Sequence, residues 1–186
     1  LDTQECKSGA CTDLPAPAKV VISELLYDSA GSPDKDAFVE LSGPAGLDLT
    51  GYSVVGINGF DGKDYQAVSL TGHKIPADGY FLIANTTASA PILAAADLKT
   101  GNVDYQNGPD NVHVRYGKQV VDAIGYGSFS ASEFFLGEST SVPKVAAGHS
   151  LSRDEKNTDT DNNAVDFRDA ATPTPGATNG AVNVKP

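Results

Sequence analysis

Asn111-Val112-His113-Val114-Arg115-Tyr116-Gly117-Lys118-Gln119-Val120-Val121-Asp122-Ala123-Ile124 decides the fold class. Residues 111–116 alternate between polar and apolar, the two-residue period of a strand with one buried face. Gly117-Lys118 supplies a two-residue turn, and residues 119–124 return as the second arm of a hairpin. The same grammar extends outward. Residues 79–84, Gly-Tyr-Phe-Leu-Ile-Ala, form a continuous apolar run of strand length and predict a central core strand. Residues 52–57 lead through the turn dipeptides Asn58-Gly59 and Asp61-Gly62 into residues 65–70, a further hairpin. Residues 20–27 are β-branched at their start, and residues 37–41 alternate, so both read as strands. Residues 90–98 are rich in Ala and Leu and predict one short helix. Residues 125–145 read as a Gly/Ser loop that carries Phe129, Phe134 and Phe135.

Many short strands, turn residues at regular intervals and no long segment of helical period predict an all-β protein, an immunoglobulin-like antiparallel β-sandwich. The expected organisation is an N-terminal tail over residues 1–18, one domain over 19–180 and a short tail over 181–186. A length of 186 residues with 40% apolar content suits one sizeable core. The counts of 19 Gly and 11 Pro fit a turn-rich β protein better than a helical one. No apolar run reaches the roughly 18 residues of a membrane helix, so no membrane span is expected.

The net charge is −11, and the 13 basic residues are scattered without a basic run. A phosphate-binding surface needs clustered Lys and Arg, so nucleic acid is not an expected partner. Acidity suits solubility, cations or a basic partner. Cys6 and Cys11 stand in Cys-Lys-Ser-Gly-Ala-Cys. A disulfide here would close a small loop worth about 2 kcal/mol and would imply an oxidising compartment. A two-thiolate metal site without a nearby His and a redox pair are the weaker readings of the same spacing. The chain begins at Leu1 and contains no Met, which fits removal of a signal peptide and an extracellular or cell-surface location.

Several segments in order carry a family resemblance: Val21-Ile22-Ser23-Glu24, Phe38-Val39-Glu40-Leu41, Asp48-Leu49-Thr50-Gly51-Tyr52, Ile75-Pro76-Ala77-Asp78-Gly79-Tyr80, and the hairpin from Asn107 to Ile124. Ser150-Leu151-Ser152-Arg153, the Asp/Asn-rich turn from Asp159 to Phe167, and Thr174-Pro175-Gly176-Ala177-Thr178-Asn179 follow. The pattern resembles the lamin-tail domain, an immunoglobulin-like module of nuclear lamins and secreted bacterial proteins. It departs from that family at Tyr52, where Trp is usual, and at Ser42-Gly43, where an aromatic-Asn pair is usual. Residues 85–106 and 126–146 look like insertions. The resemblance implies an immunoglobulin-like sandwich, does not imply catalysis and names no ligand.

The candidate functional residues all carry a structural alternative. Asp159, Asp161, Asn163 and Asp166 are dense in the oxygens that calcium takes, though the stretch lacks the Gly and closing Glu of an EF-hand loop. The alternative is an Asx-turn network in which these side chains bond their own backbone. Asp34, Asp36 and Glu40 form a second such set. Glu24 and Glu40 on strands read first as solvent-facing, and otherwise as groups that bind a turn backbone or a cation. Arg153 is expected to pair with a carboxylate, and Phe167 to anchor the core. Phe129, Phe134 and Phe135 either fold back as a small core or present a contact surface. His73, His113 and His149 read as structural, since no Ser stands in a Gly-x-Ser-x-Gly elbow. Asn85-Thr86-Thr87 fits a glycosylation acceptor. The functional expectation is a non-catalytic extracellular or cell-surface module that binds a protein or a glycan. A calcium-stabilised coat or matrix component, and a hydrolytic enzyme such as a nuclease or esterase (or an accessory domain of one), are the alternatives.

Overall fold

The computed structural model describes residues 17–180, together with the backbone of residues 4–7 and 10–13. Twelve strands and two short helices make up these residues. A separate hairpin pairs β1 (Gln4–Lys7) with β2 (Ala10–Asp13), where a plain tail was expected. Its register sets Cys6 opposite Cys11. The two side chains, and with them the expected disulfide, lie outside the described residues.

The first large sheet runs β10 (Gln119–Tyr126), β9 (Asp110–Tyr116), β5 (Tyr52–Asn58), β6 (Asp64–Ser69), all antiparallel. The hairpin read from sequence is its β9–β10 pair, turned at Gly117, whose φ of 59° suits glycine. The second sheet has six strands in the order β12 (Arg168–Ala170), β11 (Ser150–Ser152), β3 (Val21–Leu26), β4 (Phe38–Ser42), β7 (Tyr80–Ala84), β8 (Leu98–Lys99). It is antiparallel except at β7–β8. The main core lies between the sheets. Ile22, Leu25, Val39, Leu41, Phe81 and Ile83 of one sheet meet Val54, Val112, Val114 and Ile124 of the other. The fold is therefore all-β, with two mainly antiparallel sheets packed in the manner of a sandwich.

The continuous apolar run of β7 has its explanation in a second layer. Phe81 and Ile83 enter the main core, whereas Leu82 and Ala84 join Leu26 and Phe38 on the outer face beneath Ile92 and Ala96. Helix α1 (Ala90–Ala95) supplies part of that cover and is shorter than expected. It stops because Asp97 is pinned to β7: Asp97 N donates to Leu82 O at 2.9 Å, and Leu82 N donates to Asp97 Oδ2 at 2.8 Å. Leu98 and Lys99 then run alongside β7 as β8. Helix α2 (Asn163–Asp166) lies within the Asp/Asn-rich segment and β12 follows it; neither was anticipated.

The loop after β10 covers the outer face of the four-stranded sheet. Asn111 Nδ2 donates to Phe134 O at 2.9 Å, and Leu136 N donates to Asn111 Oδ1 at 2.8 Å. Phe129 and Phe135 meet edge to face at 5.3 Å, as the folded-back reading anticipated. A Cβ at Gly125 would lie 2.3 Å from Phe135, so glycine makes room for that ring. Phe134 instead stays 48% exposed, near the 77%-exposed Phe60 of the β5–β6 turn.

Candidate functional site

Arg153 follows β11 directly, and its amide donates to Ser23 O at 2.9 Å. The side chain is 0% exposed and sits where the two sheets come together. Nε donates to Ile22 O at 2.9 Å, and Nη2 to Asp122 Oδ1 at 2.9 Å. Nη1 donates to Thr158 O at 2.9 Å and Asp166 Oδ2 at 3.0 Å, with Asp159 Oδ1 at 3.4 Å. Glu138 Oε2 stands 3.9 Å from Nη2. The guanidinium lies 4.5 Å over the Phe167 ring. A planar fork of five donors is the group that can serve this many acceptors at once. The sequence expectations for Arg153 and Phe167 hold.

Asp122 completes the junction. Its Oδ2 accepts from Ile22 N at 2.6 Å, so one carboxylate ties β10 to both β3 and Arg153. A bulge in β10 between Val120 and Asp122 accompanies this placement. Four carboxylates thus surround one guanidinium, and Lys19 Nζ, 3.1 Å from Asp159 Oδ2, brings a second positive charge. Burial pushes the Asp122 carboxyl up to about 6 against the pull of Arg153. Burial, helped by the charges of Asp122 and Asp159, pushes Glu138 up to about 8. Burial opposes ionisation of Asp166 too, but hydrogen bonds from Thr160 and Asn162, with the Arg153 charge, hold its carboxyl below the usual range.

The calcium set expected from sequence is distributed over several tasks. Asp166 accepts from Thr160 N at 2.9 Å and Thr160 Oγ1 at 2.6 Å, besides Arg153. Asp159 accepts from Asp161 N at 3.2 Å. Asp161 is exposed, with a φ of 56°. Asn163 is buried and faces β10: its Oδ1 accepts from Gly125 N at 2.8 Å and Glu138 N at 2.9 Å, and its Nδ2 donates to Ala123 O at 2.7 Å. These are the local side-chain-to-backbone bonds of the Asx alternative, extended across to another strand. The carboxylate oxygens that do converge belong to Asp122, Glu138 and Asp159, all within 4.8 Å of one another. Sequence reasoning missed Asp122 and Glu138. A carboxylate inside Val120-Val121-Asp122-Ala123-Ile124 was the available signal for the first, and Glu138 offered none.

Glu24 and Glu40 correct the solvent-facing expectation, since both are 0% exposed. A bulge in β3 between Ile22 and Glu24 sets Glu24 opposite Glu40 on the outer face of the six-stranded sheet. The C-terminal segment covers them. Thr174 N donates to Glu24 Oε1 at 3.0 Å, Thr174 Oγ1 to Glu24 Oε2 at 3.0 Å, and Gly176 N to Glu40 Oε2 at 2.5 Å. The Ser150 hydroxyl also donates to Glu24. Asn179 Nδ2 donates to Ser23 O at 3.2 Å. Asp34, Asp36 and Glu40 do not act together: Asp34 accepts from Ser29 Oγ, and Asp36 from Ser89 N.

The histidines are separate. His113 Nε2 contacts Leu136 O at 2.7 Å, His149 Nδ1 contacts Asp169 Oδ1 at 2.7 Å, and His73 meets the Phe81 ring at 5.4 Å. None of these contacts is to a serine hydroxyl. Asn85 of the glycosylation triplet is 7% exposed, and its Oδ1 accepts from Thr87 N at 3.0 Å, so the side chain is committed to a turn. No helix among the described residues is long and apolar enough to cross a membrane. Comparison of the chain with protein-family models, curated proteins and solved structures finds no match.

Proposed function

We propose that this chain is a non-catalytic binding or structural module of the lamin-tail type, immunoglobulin-like in topology and displayed outside the cell or on its surface. One observation carries the reading. The buried polar residues Glu24, Glu40, Asp122, Arg153, Asp166 and Asn179 are engaged in holding the two sheets and their loops together. Side chains occupied in this way support a scaffold, whereas a general acid or base needs an approach to substrate. Loops held by such a scaffold are the natural place for recognition. Exposed Phe60 and Phe134 are the aromatic groups that such a surface offers to a protein or glycan partner. The test is a glycan and protein array probed with the chain and with a Phe60→Ser/Phe134→Ser variant, beside a panel of ester, glycoside and nucleic acid substrates. Binding lost in the variant supports the reading, and turnover of any substrate overturns it.

A second reading is favoured by the convergence of Asp122, Glu138 and Asp159 oxygens within 4.8 Å. That separation is what carboxylates sharing one calcium ion would show at the usual bond lengths of about 2.3–2.6 Å. In this reading calcium offsets the carboxylate excess around Arg153, and the protein is a calcium-stabilised coat or matrix component. Thermal unfolding at fixed ionic strength should then shift upward by several degrees with millimolar calcium and back with chelator. An Asp159→Asn variant should lose the shift. Equal melting temperatures with calcium and chelator remove this reading and leave the first in place.

A further inference from the structure

The described C-terminal residues lie on a pair of buried acids that pair with no cation among the described residues. Glu24 and Glu40 are direct neighbours across β3 and β4, where opposed side chains stand about 5 Å apart. Each is fully enclosed, and their contacts are hydrogen-bond donors without charge: Ser150, Thr174 and the amide of Gly176. Glu40 Oε1 is buried with no hydrogen-bond partner. The groups around them from neighbouring elements are Ser23 on β3, Asp78 in the turn before β7, Tyr80 on β7, Ser150 on β11, and Asn157 and Asn179, which bond each other at 3.3 Å. Asp78 is the charged member of that set, and it is acidic. Two carboxylates side by side in a dry site do not both ionise without a large electrostatic penalty.

We propose that residues 174–179 form a strap that is held down by one proton shared between Glu24 and Glu40. With the proton present, the pair carries a single negative charge, which the Thr174 hydroxyl and amide and the Gly176 amide are sufficient to stabilise. Loss of the proton puts two charges under the strap with only neutral donors among the described residues to meet them. Lifting the strap then admits water to both. Gly176, whose added Cβ would approach Ala95 to 2.9 Å, packs on the end of α1, so lifting also frees that flank.

The direction of the pH response follows. Burial pushes Glu40 up to about 8, with Glu24 adding to the shift, and burial raises Glu24 as well. Because the closed strap keeps its proton more tightly than an open one, closure is favoured in mild acid and is lost as pH rises through about 8.

Hydrogen exchange by NMR tests this, read as protection factors so that intrinsic base catalysis divides out. Between pH 6 and pH 9 the Gly176 and Thr174 amides should lose at least tenfold protection, while Val114 in the middle of β9 keeps its own. Glu40→Gln retains an acceptor for Gly176 without a charge, and its strap should stay protected at both pH values. Unchanged protection at Gly176 in the native chain overturns the proposal. So does an equal loss at Val114, which would mean global unfolding, and so does an undiminished loss in Glu40→Gln. If that variant fails to fold, the contrast between Gly176 and Val114 in the native chain decides alone.

Discussion

Arg153 is a residue whose removal would be felt well beyond its own contacts. Its partners include Asp122 on β10, Ile22 on β3, Asp166 on α2 and the Phe167 ring. Leaving Asp122 and Asp166 buried without the guanidinium costs far more than an ordinary hydrogen bond. Arg153→Met should lower stability by about 3–5 kcal/mol in urea titration, with the loss shrinking at low pH where the stranded carboxylates are protonated. A loss under about 1 kcal/mol would show that water or relaxation replaces the arginine. The need of Arg153 for a carboxylate is readable from its acidic neighbourhood in sequence. Its main partner is not, because Asp122 lies 31 residues away and is re-aimed by a bulge. Glu24 and Glu40 were misleading for a related reason. Alternation along a strand says which face a residue takes, and nothing about what later covers that face.

At the scale of elements, both outer strands of the four-stranded sheet have side-chain partners where a further strand would bind. Along β10, Asn163 accepts from Gly125 N and donates to Ala123 O, and Glu138 accepts from Ala123 N at 3.3 Å. Along β6, Asn102 Nδ2 donates to Ala67 O at 3.0 Å. Unpaired edges invite other chains, and bonds of this kind blunt them. Asn163→Ala removes the bridge between α2 and β10 and should cost at least about 2 kcal/mol, since several buried backbone groups lose their partner together. It should also raise aggregation during refolding, measured by light scattering; no change in either would mean that water replaces the amide. The order of strands across each sheet carried no local signal, whereas the β5–β6 and β9–β10 hairpins were legible because their signals are local: alternation with Asn-Gly and Gly-Lys. Helix α2 and β12 were not, because an Asp/Asn-rich turn reads the same whether or not Asn163 reaches a strand 38 residues earlier.

For the whole molecule, the buried acids set an unusual pH profile. Asp122, pushed up to about 6, and Glu138 and Glu40, each pushed up to about 8, bind protons more tightly folded than unfolded. Groups with raised folded values favour the native state below the ordinary carboxyl range and lose that contribution as pH rises through the folded value. Asp166 and Asp64, held below the usual range, act in the opposite sense and lose their contribution in strong acid. The melting temperature should therefore peak near pH 5 and fall between pH 6 and 9, at constant salt. A flat profile over that interval would show that the excess charge around Arg153 is already neutralised. A fall that calcium reverses would assign the neutralising role to a bound cation.

The strap has a mechanical consequence as well. Asn179 bonds Ser23 on β3, and the chain enters β3 only a few residues after Lys19, so both ends of the described domain converge on one strand. Tension applied between residues 17 and 180 would run along β3 and the strap. The strap's bonds to Glu24 and Glu40 would be loaded one after another, as in peeling. Under stretch the first extension would be short and would leave the core intact, a yielding step ahead of rupture.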